Sequence, residues 1–368
     1  MCGYSSTDDE KYMRHAIELA KKGLGWTNPN PMVGAVIVKD GKIIGEGYHK
    51  KYGELHAETS ALNNCTKSPE GATIYVTLEP CCHHGKQPPC TEAIIKAGIK
   101  RVVIGSLDPN PLVSGKGMQI LREHNIQVNN KLVCNRECID MNYVFFHYIK
   151  EKLPYVIVKY AQTLDGKIAT HNGLSKWITG EAARENVHMD RHRYSAIMVG
   201  INTVLKDDPM LNCRSKAIEN PHQPVRIVCD TKLRIPYDSN LVKTAGQIPV
   251  WIVTCCHDKE RINMYEKAGC EIIAMEGEKI DIAQLMIILG RREIDSCICE
   301  GGAELNWSVI KSGMVKRIQA YIAPKIFGGV DAPVSVAGVG FDAPDDALKL
   351  KDYTVTRLGD DILIEGEV

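Results

Sequence analysis

The sequence predicts an α/β protein of two domains, and three observations carry that expectation. A chain of 368 residues is longer than one hydrophobic core usually serves. Short apolar runs of strand length alternate with helical spacings, a pattern that predicts sheets with helices on both faces. Around Phe145 to Leu153 the first series of alternations runs out, and Pro154 precedes a new β-run, Tyr155-Val156-Ile157-Val158. The domains are therefore expected at 1–150 and 151–368, within a few residues.

Met13, Ile17, Ala20 and Leu24 recur at helical spacing after a capping cluster at Thr7 to Asp9, and glycines at 23 and 25 stop the helix. Met32 to Val38 and Ile43 to Tyr48 flank Asp40-Gly41, a hairpin signal. A helix carrying His56 and Glu58 follows, then a strand at 74–78, a helix around Glu92 to Ala97 and a strand at Val102 to Ile104. The second half reads as a strand at 155–158, a helix after Gly180, and strands at 196–199, 225–228 and 250–253. A helix near Asp258 to Ala268, a strand at Cys297 to Cys299 and a helix from Ala303 complete the reading. No internal repeat or low-complexity tract interrupts it.

Lysine plus arginine and aspartate plus glutamate each number 45, so the chain has no bulk attraction for nucleic acid or an anionic membrane. The N-terminus has no basic segment followed by an apolar one, and no window approaches an apolar run of about 18 residues. A cytoplasmic protein is expected. The 14 scattered cysteines then read as reduced thiols.

The chemistry concentrates between His56 and Cys90. His56-Ala57-Glu58 is followed by a strand and then by Glu79-Pro80-Cys81-Cys82-His83-His84-Gly85-Lys86-Gln87-Pro88-Pro89-Cys90. One histidine and two thiolates make three ligands for a tetrahedral Zn²⁺ and leave a fourth position for water, as catalytic zinc sites do. Such a metal brings the pKa of water toward neutrality, and Glu58 can take and redeliver its protons. Cys82, His83 and His84 crowd the same loop as alternative ligands; Cys81 is preferred because it directly follows Pro80.

The H-x-E, P-C and later Cys resemble the zinc-dependent cytidine-deaminase superfamily, in which the Glu is a proton shuttle and not a ligand. Beyond the zinc loop, the first half carries Thr27-Asn28-Pro29-Asn30-Pro31-Met32-Val33-Gly34, His49, Asp108-Pro109-Asn110-Pro111 and Gly115-Lys116-Gly117. The second half carries Lys159-Tyr160-Ala161, Leu164-Asp165-Gly166-Lys167-Ile168-Ala169 and Ser175-Lys176-Trp177-Ile178-Thr179-Gly180. It also has Asp207-Asp208-Pro209 with Leu211 and Arg214, and Glu300-Gly301-Gly302. With these motifs the whole chain resembles the bifunctional riboflavin-biosynthesis enzymes, a pyrimidine deaminase fused to a pyrimidine reductase.

The resemblance implies a cytidine-deaminase-like three-layer α/β/α domain followed by a dihydrofolate-reductase-like α/β domain. It implies one Zn²⁺ per chain on His56, Cys81 and Cys90 with Glu58 catalytic, and a pyrimidine and ribose-phosphate pocket of Asn30, His49, Lys86, Asp108 and Asn110. In the reductase it puts NADPH against Ala161, Asp165, Trp177, Thr203, Asp207 and the Gly301-Gly302 turn. The substrate falls to Lys159, Ser175, Arg191, Leu211, Arg214 and Glu300. Taken alone, Asp165 reads equally well as a turn residue before Gly166, and the Gly-Gly turn lacks the fuller dinucleotide fingerprint. One segment departs from the family: Asp190-Arg191-His192-Arg193-Tyr194-Ser195-Ala196 stands where Leu-Arg and then Asp before the Ala are common.

The implied substrate is 2,5-diamino-6-ribosylamino-4(3H)-pyrimidinone 5′-phosphate, deaminated at the ring and then reduced by NADPH at C1′ of the opened ribosyl chain. The expected partners are thus small phosphorylated pyrimidines, with no nucleic acid, no membrane and a homo-oligomeric assembly. A nucleoside or nucleic-acid deaminase with a non-catalytic C-terminal module is the rival reading; the even charge and the reductase motifs stand against it.

Overall fold

The computed structural model describes residues 6–84, 87–111 and 113–368, and the chain divides into two compact units, Met1–Lys152 and Leu153–Val368. The first unit runs α1 (Ser6–Lys21), β1 (Gly34–Lys39), β2 (Lys42–Tyr48), α2 (Ala57–Asn63), β3 (Thr73–Val76), α3 (Cys90–Lys96) and β4 (Arg101–Ile104). It continues with α4 (Lys116–Glu123), β5 (Gln127–Val128), α5 (Asn135–Met141) and α6 (Tyr143–Glu151). Its sheet has the order β2-β1-β3-β4-β5, antiparallel at β2-β1-β3 and parallel from β3 to β5. At the β1-β2 turn Asp40 and Gly41 take φ of 51° and 71°, the pair of positive values that a two-residue hairpin of the I′ type demands.

Strand periodicity sorts the core of this unit onto two faces. Ala35, Ile37, Ile74, Val76, Val102 and Ile104 pack with Ala57 and Ala61 of α2, Ile94 of α3 and Leu121 of α4. The alternate residues Val36, Val38, Tyr75 and Val103 pack with Met13, Ala16, Ile17 and Ala20 of α1 and with Cys138 and Met141 of α5. The expected three layers, α/β/α, follow from that alternation. The region after Phe145, which the sequence reading left as the end of the domain pattern, forms most of α6 and belongs to this unit.

The second unit runs β6 (Tyr155–Thr163), α7 (Glu181–Arg193), β7 (Ala196–Gly200), α8 (Ile201–Asp207), β8 (Val225–Cys229), α9 (Asn240–Lys243), β9 (Val250–Thr254) and α10 (Lys259–Lys267). Then come β10 (Glu271–Ala274), α11 (Ile282–Arg291), β11 (Ser296–Cys299), α12 (Ala303–Lys311), β12 (Val315–Ala323), β13 (Lys351–Leu358) and β14 (Asp361–Glu367). The nine strands are ordered β10-β9-β8-β7-β11-β6-β12-β14-β13, parallel from β10 to β12, with β14 antiparallel to both its neighbours. The parallel strands are apolar runs such as Val156, Val158, Ala196 and Met198, covered by Leu285, Met286 and Leu289 of α11 and Leu305 and Val309 of α12. Strands β12 to β14 have no counterpart among the elements expected from sequence. The arrangement brings β7, β11 and β6 side by side, so residues at their carboxyl ends share one edge.

Candidate active sites

In the first unit, His56 occupies the extended position just before α2, Glu58 lies in that helix's first turn, Cys81 follows β3 and Cys90 opens α3. The ligand atoms of His56, Cys81 and Cys90 lie within 4.8 Å of one another. His56 Nδ1 faces both sulfurs, at 3.5 Å from Cys81 Sγ and 3.3 Å from Cys90 Sγ. A tetrahedral zinc with Zn–S about 2.3 Å and Zn–N about 2.0 Å has N···S edges of about 3.5 Å, so the donor set fits that metal in both chemistry and size. Among the described residues no other such group of His, Cys, Asp or Glu is found.

The thiols are unequal. Hydrogen bonds from Cys90 and His56 bring the Cys81 thiol down to about 4, and the Cys90 N–H donates to Cys81 Sγ at 3.3 Å. The Cys90 thiol is pushed up, by Cys81 and then by burial. Glu58 is buried, and burial followed by the charge on Cys81 raises its carboxyl to about 7.

A cavity of about 290 Å³ opens onto this cluster and is lined by Glu58, Asn30, His49, Asp108 and Asn110, together with Phe145 and Ile149 of α6. His49 Nδ1 lies 3.1 Å from the Leu55 carbonyl, which can only accept; Nδ1 therefore carries the proton and Nε2 accepts from Asn30 Nδ2 at 3.4 Å. Asp108 Oδ1 accepts from the Asn110 N–H at 2.8 Å, and burial raises its carboxyl to about 6. Lys86 lies outside the described residues.

In the second unit Glu300 leaves the end of β11, flanked by Lys159 of β6 and by Arg191 in the last turn of α7. Arg191 donates through Nε to Glu300 Oε1 at 2.7 Å and through Nη2 to Oε2 at 2.8 Å, while Lys159 Nζ stands 3.6 Å from Oε2. Burial alone would raise the Glu300 carboxyl, but the two cations overcome it and hold the group at about 2. The Arg191 fork, expected on the substrate side, is thus closed on Glu300, and Nη1 adds a bond to the Asn212 carbonyl at 3.1 Å. Arg214, by contrast, is exposed; its main-chain N–H donates to His188 Nδ1 at 3.2 Å and its guanidinium donates to Asn212 Oδ1. Leu211 is buried with φ of 49° between these groups in sequence. In the segment that departs from the family, Asp190 is buried and its carboxyl rises to about 7, chiefly through burial.

A second cavity, of about 580 Å³, is lined by Thr203, Asp207, Gly302 and Ser175, with Thr231, Lys206 and Lys279. Gly301, at φ 104°, and Gly302 form the turn from β11 into α12. A side chain at Gly301 would meet nothing within 4 Å, so the backbone there is open to a ligand. Hydroxyls, lysines and a glycine turn at the head of a helix fit a polyanionic dinucleotide. Ser175, expected on the substrate side, lies in this cavity with the cofactor candidates. Asp165 has a different occupation: its carboxylate accepts from Thr163 Oγ1 at 2.5 Å, Gly328 N at 2.7 Å and Phe327 N at 3.2 Å, the first two bonds doing most to hold it at about 2. Trp177 is 63% exposed and stacks with the Arg184 guanidinium, 4.6 Å from its ring centre. Ala161 packs beside Tyr321 and Val187.

Sequence reasoning missed Glu79, Phe145, Ile149 and His188. Only Glu79 carried a signal, its place directly before Pro80-Cys81.

Comparison with known proteins agrees with this architecture. Residues 6–106 match the cytidine and deoxycytidylate deaminase zinc-binding region, and residues 154–364 match the RibD C-terminal domain. The chain is 50% identical to riboflavin biosynthesis protein RibD of Actinobacillus pleuropneumoniae over 98% of its length and 96% of the relative's. It is 37% identical to the Escherichia coli RibD, with 97% and 98% covered. Among solved structures, a diaminohydroxyphosphoribosylaminopyrimidine deaminase/5-amino-6-(5-phosphoribosylamino)uracil reductase of Thermotoga maritima is 38% identical, with a TM-score of 0.88 and 99% of each chain covered. Fold, sites and matches define a two-part enzyme, a zinc-binding deaminase followed by a reductase. The chain belongs to the RibD family of riboflavin biosynthesis proteins.

Proposed function

We propose that residues 1–150 deaminate a 2,5-diamino-6-ribosylamino-4(3H)-pyrimidinone 5′-phosphate and that residues 151–368 reduce the ribosyl chain of the product to the ribityl form. The observation that carries the first half is the convergence of His56, Cys81 and Cys90 beside a buried Glu58 at the floor of a cavity. His56, Cys81 and Cys90 would hold the zinc, which when bound would supply Lewis-acid activation of the attacking water. Glu58 moves the two protons of the water, one to the ring nitrogen and the other to the amino group that leaves as ammonia. His49 holds the Asn30 amide at the cavity wall, and Asp108 orders the main chain of Asn110, so both amides meet the pyrimidine preset.

Thr203, Asp207 and the Gly301-Gly302 turn would hold NADPH, which would supply the hydride. Glu300 fixes Arg191 and Lys159 as a rigid ionic group beside the reacting sugar, and the exposed Arg214 grips the phosphate. We read Asp165 as the anchor of the Phe327-Gly328 loop, acting on the cofactor side through that loop and not through its own carboxylate. Even charge matches small anionic substrates better than nucleic acid, and we place the enzyme in the cytoplasm as a homo-oligomer.

Incubation with the diaminopyrimidinone phosphate, with and without NADPH, tests the reading by ammonia release and product mass; absence of both products overturns it. A zinc chelator is expected to stop ammonia release in the full chain while reduction of the deaminated intermediate continues. Equal loss of both activities would contradict two independent sites. Arg214→Lys keeps the charge but loses the planar fork, and should raise KM for the pyrimidine intermediate about ten- to hundred-fold, the equivalent of one charge-assisted hydrogen bond. KM for NADPH should stay nearly unchanged in the same kinetics; an effect on NADPH alone would move Arg214 to the cofactor.

A further inference from the structure

Glu79 is 3% exposed, stands two residues before Cys81 and lines the same cavity as Glu58, Asp108 and Asn110. Its carboxylate accepts from the Gly115 N–H at 2.9 Å through Oε2 and from the Met118 N–H at 3.2 Å through Oε1. Its own N–H donates to the Ser106 carbonyl at 2.9 Å. One residue therefore holds both ends of the segment from Ser106 to Gly115, and that segment carries Asp108 and Asn110 into the cavity.

The local sequence is built for this grip. Gly115 stands at the cap position of α4 with φ of 77° and has no side chain to accept from the first turn, so Glu79, in the segment after β3, performs the capping. A side chain at Gly117 would come within 2.3 Å of the Pro80 carbonyl oxygen and 3.2 Å of Glu79 Oε1. The Gly115-Lys116-Gly117 run thus seats a helix start on Glu79-Pro80, and the Gly115 and Met118 amides are already taken by a carboxylate of the protein.

We propose that Glu79 is a positioning residue for deamination, setting the Asp108–Asn110 loop at a fixed distance from Cys81 and Glu58; this rests on the deaminase reading of the first unit. Both carboxylate oxygens are engaged by the Gly115 and Met118 amides, so Glu79 acts through the loop it holds. The Ser106 end has a second tether that side-chain changes at 79 leave intact, the Ser106 Oγ–H bond to the Thr77 carbonyl at 2.9 Å. Loss of the carboxylate therefore frees the Gly115 end while strand and metal loop persist.

The test uses the full chain with Glu79→Gln, which keeps one acceptor oxygen, and Glu79→Ala, which keeps none. In Glu79→Gln, KM and the calorimetric Kd for the diaminopyrimidinone phosphate should rise about ten-fold, with more in Glu79→Ala. The kcat should stay within about three-fold, zinc should stay at one per chain by elemental analysis, and exchange of the Gly115 and Met118 amides should quicken. Unchanged KM and Kd in both variants overturns the proposal. A fall in kcat and zinc at constant KM also overturns it, since Glu79 would then serve the metal loop. A wild-type chain that binds the pyrimidine but releases no ammonia contradicts the deaminase reading alone, because the Kd comparison still decides the role of Glu79. A wild-type chain that does not bind it overturns both.

Discussion

Glu58→Gln is expected to retain its zinc and to lose ammonia release by at least ~10² to 10⁴-fold, the usual worth of a single general acid–base group. The loss should lie at the upper end, because one carboxylate serves every proton transfer of the reaction. The substitution keeps side-chain shape at a buried position and leaves His56 Nδ1, Cys81 Sγ and Cys90 Sγ as they are. His56→Ala should do the opposite and lower metal content, since it removes the only nitrogen donor of the group. Ammonia assay and elemental analysis on the two variants separate the roles, and near wild-type ammonia release from folded Glu58→Gln would sink the proton-carrier assignment.

Glu300→Gln should cost the second unit about 3–5 kcal/mol, the penalty for removing one partner of a buried ion pair. The Glu300 side chain is 7% exposed, and those of Arg191 and Lys159 are 13% exposed each, so both cations would be left with little water and no counter-charge. Reductase kcat/KM should fall by about two orders of magnitude as the ionic group loses its shape. The pH dependence has a definite sign. A carboxyl held at about 2 in the folded state, against about 4.3 unfolded, contributes stability above pH 4.3 and loses it as pH falls toward 2. The gap in urea midpoint between wild type and variant, followed by reductase inactivation, should be constant from pH 5 to 8 and shrink below pH 4. A variant with wild-type midpoint and wild-type reduction would contradict the role given to Glu300.

The zinc cluster was legible because ligation imposes residue types at short spacing: H-x-E places His56 and Glu58 at one helix start, and Pro80-Cys81 brings the first thiol back after a strand. The layers were legible because strand-length apolar runs alternate with helical spacings; that Val36 and Ile37, or Tyr75 and Ile74, point into two different cores is what the pleat adds. The fates of several polar groups were not. Asp165 does sit in the turn before Gly166 that its sequence suggested and bonds Thr163 nearby, but two further partners lie 162 and 163 residues away in Phe327 and Gly328. Arg191 looked like a substrate contact, and its carboxylate lies 109 residues on. A side chain's type states what it can bond, and only the sheet order β7-β11-β6 decides which bond it makes.

By itself, then, the sequence predicted an α/β chain from periodicity and the family from motif resemblance, and residue chemistry at short spacing singled out His56, Glu58, Cys81 and Cys90 as the proposed metal and proton-carrying groups. Tertiary structure alone decided that α6 lends Phe145 and Ile149 to the deaminase cavity, that Ser175 shares a cavity with Thr203 and Gly302, and that Glu79 caps α4. These depend on segments distant in the chain meeting at one place. Such meetings are governed by how strands order and helices pack, and no local pattern of residues encodes them.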